Sequence, residues 1–209
     1  MARSSSAVFL VCFSRTLAAG QRFKRGLLEG LRKKPQKESE IIMPQLHAQP
    51  YDITASGFYF EDAEEFRVRV AALRNDHGDP IEEFEIQFID GDDIDCALAS
   101  AIGLSQANYA AYLECCTAWE DWQKTLVIIA VAESGYSFEP DKDPADYDID
   151  IYPADGLREL AHQFVDDGLL GDIPDNLLPY FDYDAFARDL SVEYTEAMIA
   201  GQRLVWRAG

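Results

Sequence analysis

The chain has 209 residues, 48% of them hydrophobic, and sets 18 Lys and Arg against 38 Asp and Glu, a net charge of −20. That is enough apolar material for one sizeable core or two to three small ones, with a charge far beyond the ~2 to 8 units usual for a small domain. Such a field repels nucleic acid and anionic membranes and attracts basic grooves, which argues against direct nucleic-acid binding and against membrane attachment.

The charge is unevenly distributed. Residues 1–42 hold nine basic and three acidic residues, a net of +6, which leaves nine basic and 35 acidic residues, a net of −26, from Met43 onward. The apolar runs AVFLVCF at 7–13 and LVIIAVA at 126–132 fall short of the roughly 18 residues a membrane-spanning helix needs. Three readings of 1–42 compete: an export or transit segment, a basic arm, or an extension upstream of a biological start at Met43. The third, which includes a disordered leader before Met43, is preferred; export is disfavoured because the apolar run is minimal and Arg15 follows it before any Ala-rich cleavage site.

The body opens with His47 and Pro50, then a strand expected near 57–60 and a helix over about 62–74. Glu61, Asp62, Glu64 and Glu65 suit the positive end of that helix dipole. NDHGDP at 75–80 reads as a turn, and Phe84, Ile86 and Phe88 alternate with polar residues as a strand. DGDDID at 90–95 has Gly91 second and Ile94 where calcium needs a ligand, so Asp92, Asp93 and Asp95 read instead as the acidic start of a helix. That helix is expected to bury Cys96, Leu98, Ala99 and Ile102 and to stop at Gly103. Ser105 is expected to cap a longer helix carrying Tyr109, Tyr112, Leu113, Cys116 and Trp119, with Trp122 flanking. The β-branched content of 126–132 predicts a buried strand, and 133–146 a loop.

Asp146, Asp148 and Asp150 alternate with Tyr147, Ile149 and Ile151, which in a strand sets three carboxylates in a row on one face. Leu157, Leu160, Ala161, Phe164 and Val165 then recur at helical spacing, with Asp155 as cap and Gly168 as stop. Gly171, Asp172 and Pro174 break the chain, and Asp175 can cap a short turn through Leu177, Leu178, Tyr180 and Phe181. A second helix starts near Asp182 or Asp184, burying Phe186 and Leu190 and leaving Arg188 and Asp189 polar. Val192, Tyr194, Leu204 and Trp206 flank Ala200 and Gly201 as a closing hairpin.

Catalytic patterns are missing from the sequence. His47, His77 and His162 lie far apart, and neither a zinc-protease motif, a nucleophile elbow, a phosphate loop nor a dinucleotide glycine pattern occurs. Cys12, Cys96, Cys115 and Cys116 contain no C-x-x-C, so no zinc site or disulfide framework is indicated, and a reducing cytoplasm fits them best. With 35 acids in the body, any carboxylate pair arises by chance. The expectation is a protein that is not an enzyme, with no cofactor and no metal.

Two stretches carry a resemblance. GLLGDIP at 168–174 with YFDYDAFARDL at 180–190, and EEFEIQFIDGDDID at 82–95, resemble the ArdA-type antirestriction proteins. That resemblance implies an elongated α+β protein of small mixed subdomains around a largely helical centre, carried on plasmids or other mobile elements. It also implies a homodimer that blocks type I restriction and modification enzymes by imitating DNA. Gly168, Gly171, Pro174, Tyr180, Tyr183 and Arg188 match the signature and take scaffold or interface roles by that resemblance; no antirestriction motif is carried over to the central region. The division expected is a leader at 1–42, an α+β part at 43–91, a mainly helical part at 92–145 and an α+β part at 146–209.

On this reading negative charge is itself the function. B-DNA presents about one charge per 1.7 Å of axis, so 26 charges match roughly 44 Å of duplex. The leading phosphate mimics are Asp146, Asp148, Asp150, Asp166, Asp167, Asp172, Asp175, Asp182, Asp184 and Asp189, extended by Glu61, Asp62, Glu64 and Glu65 and by Asp92, Asp93 and Asp95. The competing reading is an acidic adaptor for another basic, nucleic-acid-binding host protein.

Overall fold

A computed structural model describes residues 43–209, so the leader expected at 1–42 lies outside the described residues. The fold is mixed α+β, with six α-helices and two three-stranded sheets among the described residues, and it divides into two compact units.

The first unit runs to Ile149 and starts from an antiparallel sheet of β1 (Gln45–Pro50), β2 (Phe58–Phe60) and β3 (Phe84–Asp90) in the order β2-β1-β3. The central strand β1 is absent from the sequence reading. Its His, Gln and Ala content is weak β chemistry, although Leu46, Ala48 and Pro50 alternate inward against it. The register sets Leu46 opposite Phe60 and Ala48 between Phe58 and Ile86, so one face is apolar. Helix α1 (Ala63–Ala72) closes that face with Phe66, whose ring lies 5.0 Å from Phe60 and 4.3 Å from Tyr109. Asp62 caps α1 by accepting the Glu65 N–H at 2.7 Å, worth about 1 kcal/mol.

Three helices follow: α2 (Asp93–Ala101), α3 (Tyr109–Ala118) and α4 (Asp121–Ile128). Cys96, expected inside α2, is exposed, and the polar side chain buried in its place is Asp95. The helix expected from Ser105 starts only at Tyr109, because Asn108 Oδ1 turns back to accept the Ser105 N–H at 2.7 Å. The strand expected over 126–132 is helical instead. Gln123 accepts the Glu120 N–H at 2.9 Å and starts a helix, which continues as a five-residue π-helical turn, Ile129–Glu133. Leu126 to Ala130 are all buried, so no polar face betrays the helical period and β-branched content misleads.

The carboxylate row expected at 146, 148 and 150 does not form on one strand. Asp143 accepts the Ala145 N–H at 3.0 Å and folds Pro144–Asp146 into a 3-10 turn, and β4 (Ile149–Tyr152) begins only afterwards. Of the three, Asp150 alone lies in a strand.

The second unit comprises Asp150–Met198 and Arg203–Gly209. Helix α5 (Leu157–Asp166) and helix α6 (Tyr183–Leu190) pack around Tyr152, Ala154, Leu160, Ala161, Phe164, Leu190 and Val205. Asp155 does not cap α5; Glu196 Oε1, from the strand β5 (Thr195–Ile199), accepts the Leu157 N–H at 2.8 Å. A Cβ on Gly156 would stand 2.9 Å from that oxygen. Asp182 caps α6 through the Ala185 N–H at 2.8 Å. The strand β6 (Gln202–Ala208) sits between β4 and β5, and Ala200 and Gly201, with φ of 48° and 75°, make the two-residue turn that joins β5 to β6.

Candidate acidic interaction surface

The structure places fourteen of the predicted acids at exposed positions: Glu61, Asp62, Glu64, Asp92, Asp93, Asp146, Asp148, Asp166, Asp167, Asp172, Asp175, Asp182, Asp184 and Asp189. They stand at the starts of α1, α2 and α6, at the ends of α5 and α6, on the connection between α5 and α6 and on the stretch before β4. These are polar ends that packing leaves outward.

Three depart from that pattern. Glu65 is half-buried and receives Arg69 at 2.7 Å while accepting the Glu61 N–H at 3.2 Å. Asp150 is half-buried on β4 and meets Arg207 at 2.8 Å. Asp95 is a correction: its side chain is 3% exposed and its carboxylate holds the Lys124 ammonium at 2.5 Å, so it presents nothing to a partner. The helical period decides this outcome, since Asp95 falls between the buried Ile94 and Leu98 on α2. Around it, Tyr112 donates its hydroxyl to the Asp95 carbonyl at 3.0 Å, and burial pushes the thiols of Cys115 and Cys116 up to about 11 and about 12.

Sequence reasoning overlooked further exposed acids, notably Glu82, Glu83, Glu85, Glu139, Asp141 and Asp143. The run EPDKDPADYD at 139–148 was the available clue, since its prolines exclude regular structure while its acids stay outward.

Most cations of the body lie against a carboxylate, a backbone carbonyl or an aromatic ring. Arg67 pairs with Glu64 at 2.7 Å and Arg158 with Asp184 at 2.9 Å. Arg74 donates to the carbonyls of Ala71 and Leu73 at 2.9 and 2.6 Å, and Lys142 lies 3.9 Å over the Tyr147 ring. Of the signature residues, Gly168 and Gly171 adopt φ of 72° and 87°, the left-handed region that favours glycine. Pro174 and Arg188 are exposed, Tyr180 is 85% exposed, and Tyr183 stacks on His162 at 3.6 Å.

Among the described residues no group of three or more His, Cys, Asp or Glu side chains could hold a metal ion, and no helix is long and apolar enough to cross a membrane. What the surface offers chemically is fixed negative charge on ordered backbone.

The site is thus an α+β scaffold that projects carboxylates from helix ends and loops. The family model described as antirestriction protein (ArdA) matches residues 27–202, and the chain belongs to that antirestriction family. Comparison with curated proteins gave no match.

Proposed function

We propose that this protein mimics the charge and shape of B-DNA and occupies the DNA-binding groove of type I restriction-modification enzymes, protecting incoming mobile DNA. It acts as a homodimer in the cytoplasm, without turnover, cofactor or direct contact with nucleic acid. The observation that carries the reading is the outward placement of fourteen predicted carboxylates, while most cations of the body lie against carboxylates, carbonyls or aromatic rings. A groove that releases counterions from DNA accepts such a surface in its place.

The test is a titration of DNA cleavage and DNA binding by a purified type I restriction enzyme against the full chain at two salt concentrations. Stoichiometric inhibition that added DNA relieves and salt weakens is expected. Folded protein that leaves cleavage and binding untouched would refute the proposal and direct attention to another basic, nucleic-acid-binding host protein.

A further inference from the structure

The segment 139–148 puts Glu139, Asp141, Asp143, Asp146 and Asp148 at exposed positions, and Lys142 is the one cation within it. It belongs to no sheet. Its backbone is held by local turns, from the Lys142 N–H to the Glu139 carbonyl at 3.2 Å, from Asp146 to Asp143 at 2.9 Å and from Tyr147 to Pro144 at 3.3 Å. Its anchor is Tyr147, 2% exposed, together with the buried Pro144.

With acids on both sides, Lys142 nevertheless pairs with none of them: among the described residues no carboxylate lies within ion-pairing distance of its ammonium. The Nζ instead sits 3.9 Å over the Tyr147 ring and 5.4 Å from the centre of Tyr136, and the two rings meet edge to face at 5.3 Å and 83°. A cation over an aromatic face is held about as well as one in an exposed ion pair. The arrangement ties Tyr136, Lys142 and Tyr147 together and draws the segment's one positive charge onto the two rings rather than onto Glu139, Asp141, Asp143 or Asp146.

We propose that Lys142, clamped on Tyr136 and Tyr147, is a positioning residue of the acidic surface, one that preorganises the carboxylates of 139–148 for a basic groove. This role rests on the mimicry reading and deepens it. It gives a residue with the wrong sign for mimicry a favourable part, so charge and position make opposite predictions for the same substitution.

Lys142→Gln makes the protein more negative by one charge. If charge alone counted, inhibition of the restriction enzyme would hold or strengthen; the positioning role predicts an apparent Kd about three- to ten-fold weaker. Lys142→Arg, which keeps a cation over the rings, restores inhibition. Combined with neutralisation of Asp141, Asp143, Asp146 and Asp148 to Asn, Lys142→Gln adds nothing, because it acts through those carboxylates. Amide exchange at Lys142, Asp146 and Tyr147 quickens in Lys142→Gln while the thermal midpoint holds.

Wild-type protein that inhibits with Lys142→Gln matching or surpassing it overturns the positioning role and leaves mimicry intact. Wild-type protein that fails to inhibit refutes both. Should Lys142→Gln not fold, Tyr136→Leu serves instead: its ring is 38% exposed and its loss leaves the charge unchanged. Weaker inhibition by that variant supports the clamp, and unchanged inhibition overturns it.

Discussion

Replacing Asp95 by Asn separates buried charge from surface charge. The Asp95 and Lys124 side chains are 3% and 6% exposed, meet at 2.5 Å and join helices 29 residues apart in sequence. Asn leaves the Lys124 ammonium buried without its counter-charge, a loss of about 3–5 kcal/mol for a pair broken on one side. The control is Asp184→Asn, which opens the Arg158–Asp184 pair, where both side chains are 67% exposed and the cost is about 0–1 kcal/mol. The two variants lose the same charge yet differ by at least about 2 kcal/mol, roughly thirty-fold in the folding equilibrium. Urea unfolding followed by tryptophan fluorescence reads this as a lower midpoint at unchanged slope. Joint replacement by Leu at 95 and Met at 124 recovers much of the stability, since well-packed apolar residues can stand in for a buried pair. Asp95→Asn unfolding within 1 kcal/mol of Asp184→Asn would refute the assignment of Asp95 to the core.

Grouped neutralisation of Asp166, Asp167, Asp172 and Asp175 to Asn weakens inhibition and flattens its salt dependence, whereas Asp146→Asn alone changes it by less than ~2-fold; loss of inhibition from the single change, read in the cleavage titration, would contradict distributed mimicry. Alkaline pH destabilises the fold through the thiols. The folded pKa of Cys116 is raised by burial to about 12 and that of Cys115 to about 11, so their contribution is complete below the unfolded thiol pKa near 8.5 and is lost as pH rises toward the folded values. Urea midpoints at pH 8 and pH 10 show the fall, and the double Ala variant shows less of it. Gly156→Ala pushes a methyl against Glu196 Oε1 and removes the cap of α5, at a cost of about 1 kcal/mol in thermal or urea unfolding.

Periodicity made several elements legible. The alternation of Phe84, Ile86 and Phe88, the helical spacing from Leu157 to Val165 and the Ala200–Gly201 turn all appear where residue patterns put them. Failures fell where partners are distant in sequence. Glu196 caps a helix 39 residues earlier, which no local pattern around Asp155 reveals. Asp95 and Asp93 stand two residues apart, and only the position of α2 against α4 sends one inward to Lys124 and leaves the other outside. For 126–132, the run from Leu126 to Ala130 is buried on all sides and carries no amphipathic phase, so composition had to decide between strand and helix and decided wrongly.

Net charge is set by the sequence, but the field a partner meets is set by where the cations settle. Around the start of α1, Glu64 and Glu65 each face an arginine at 2.7 Å, so beyond about one Debye length, ~10 Å at 0.1 M salt, each pair acts as a weak dipole and little of its charge is felt. At 166–175 Asp166, Asp167, Asp172 and Asp175 are exposed, with no Lys or Arg in the segment, and at 139–148 the one lysine is drawn onto tyrosine rings. On the proposed function, a basic groove meets stronger potential at these two segments than the acid count of α1 suggests. Ranking carboxylates for mimicry requires subtracting, residue by residue, the cations that the fold holds against them.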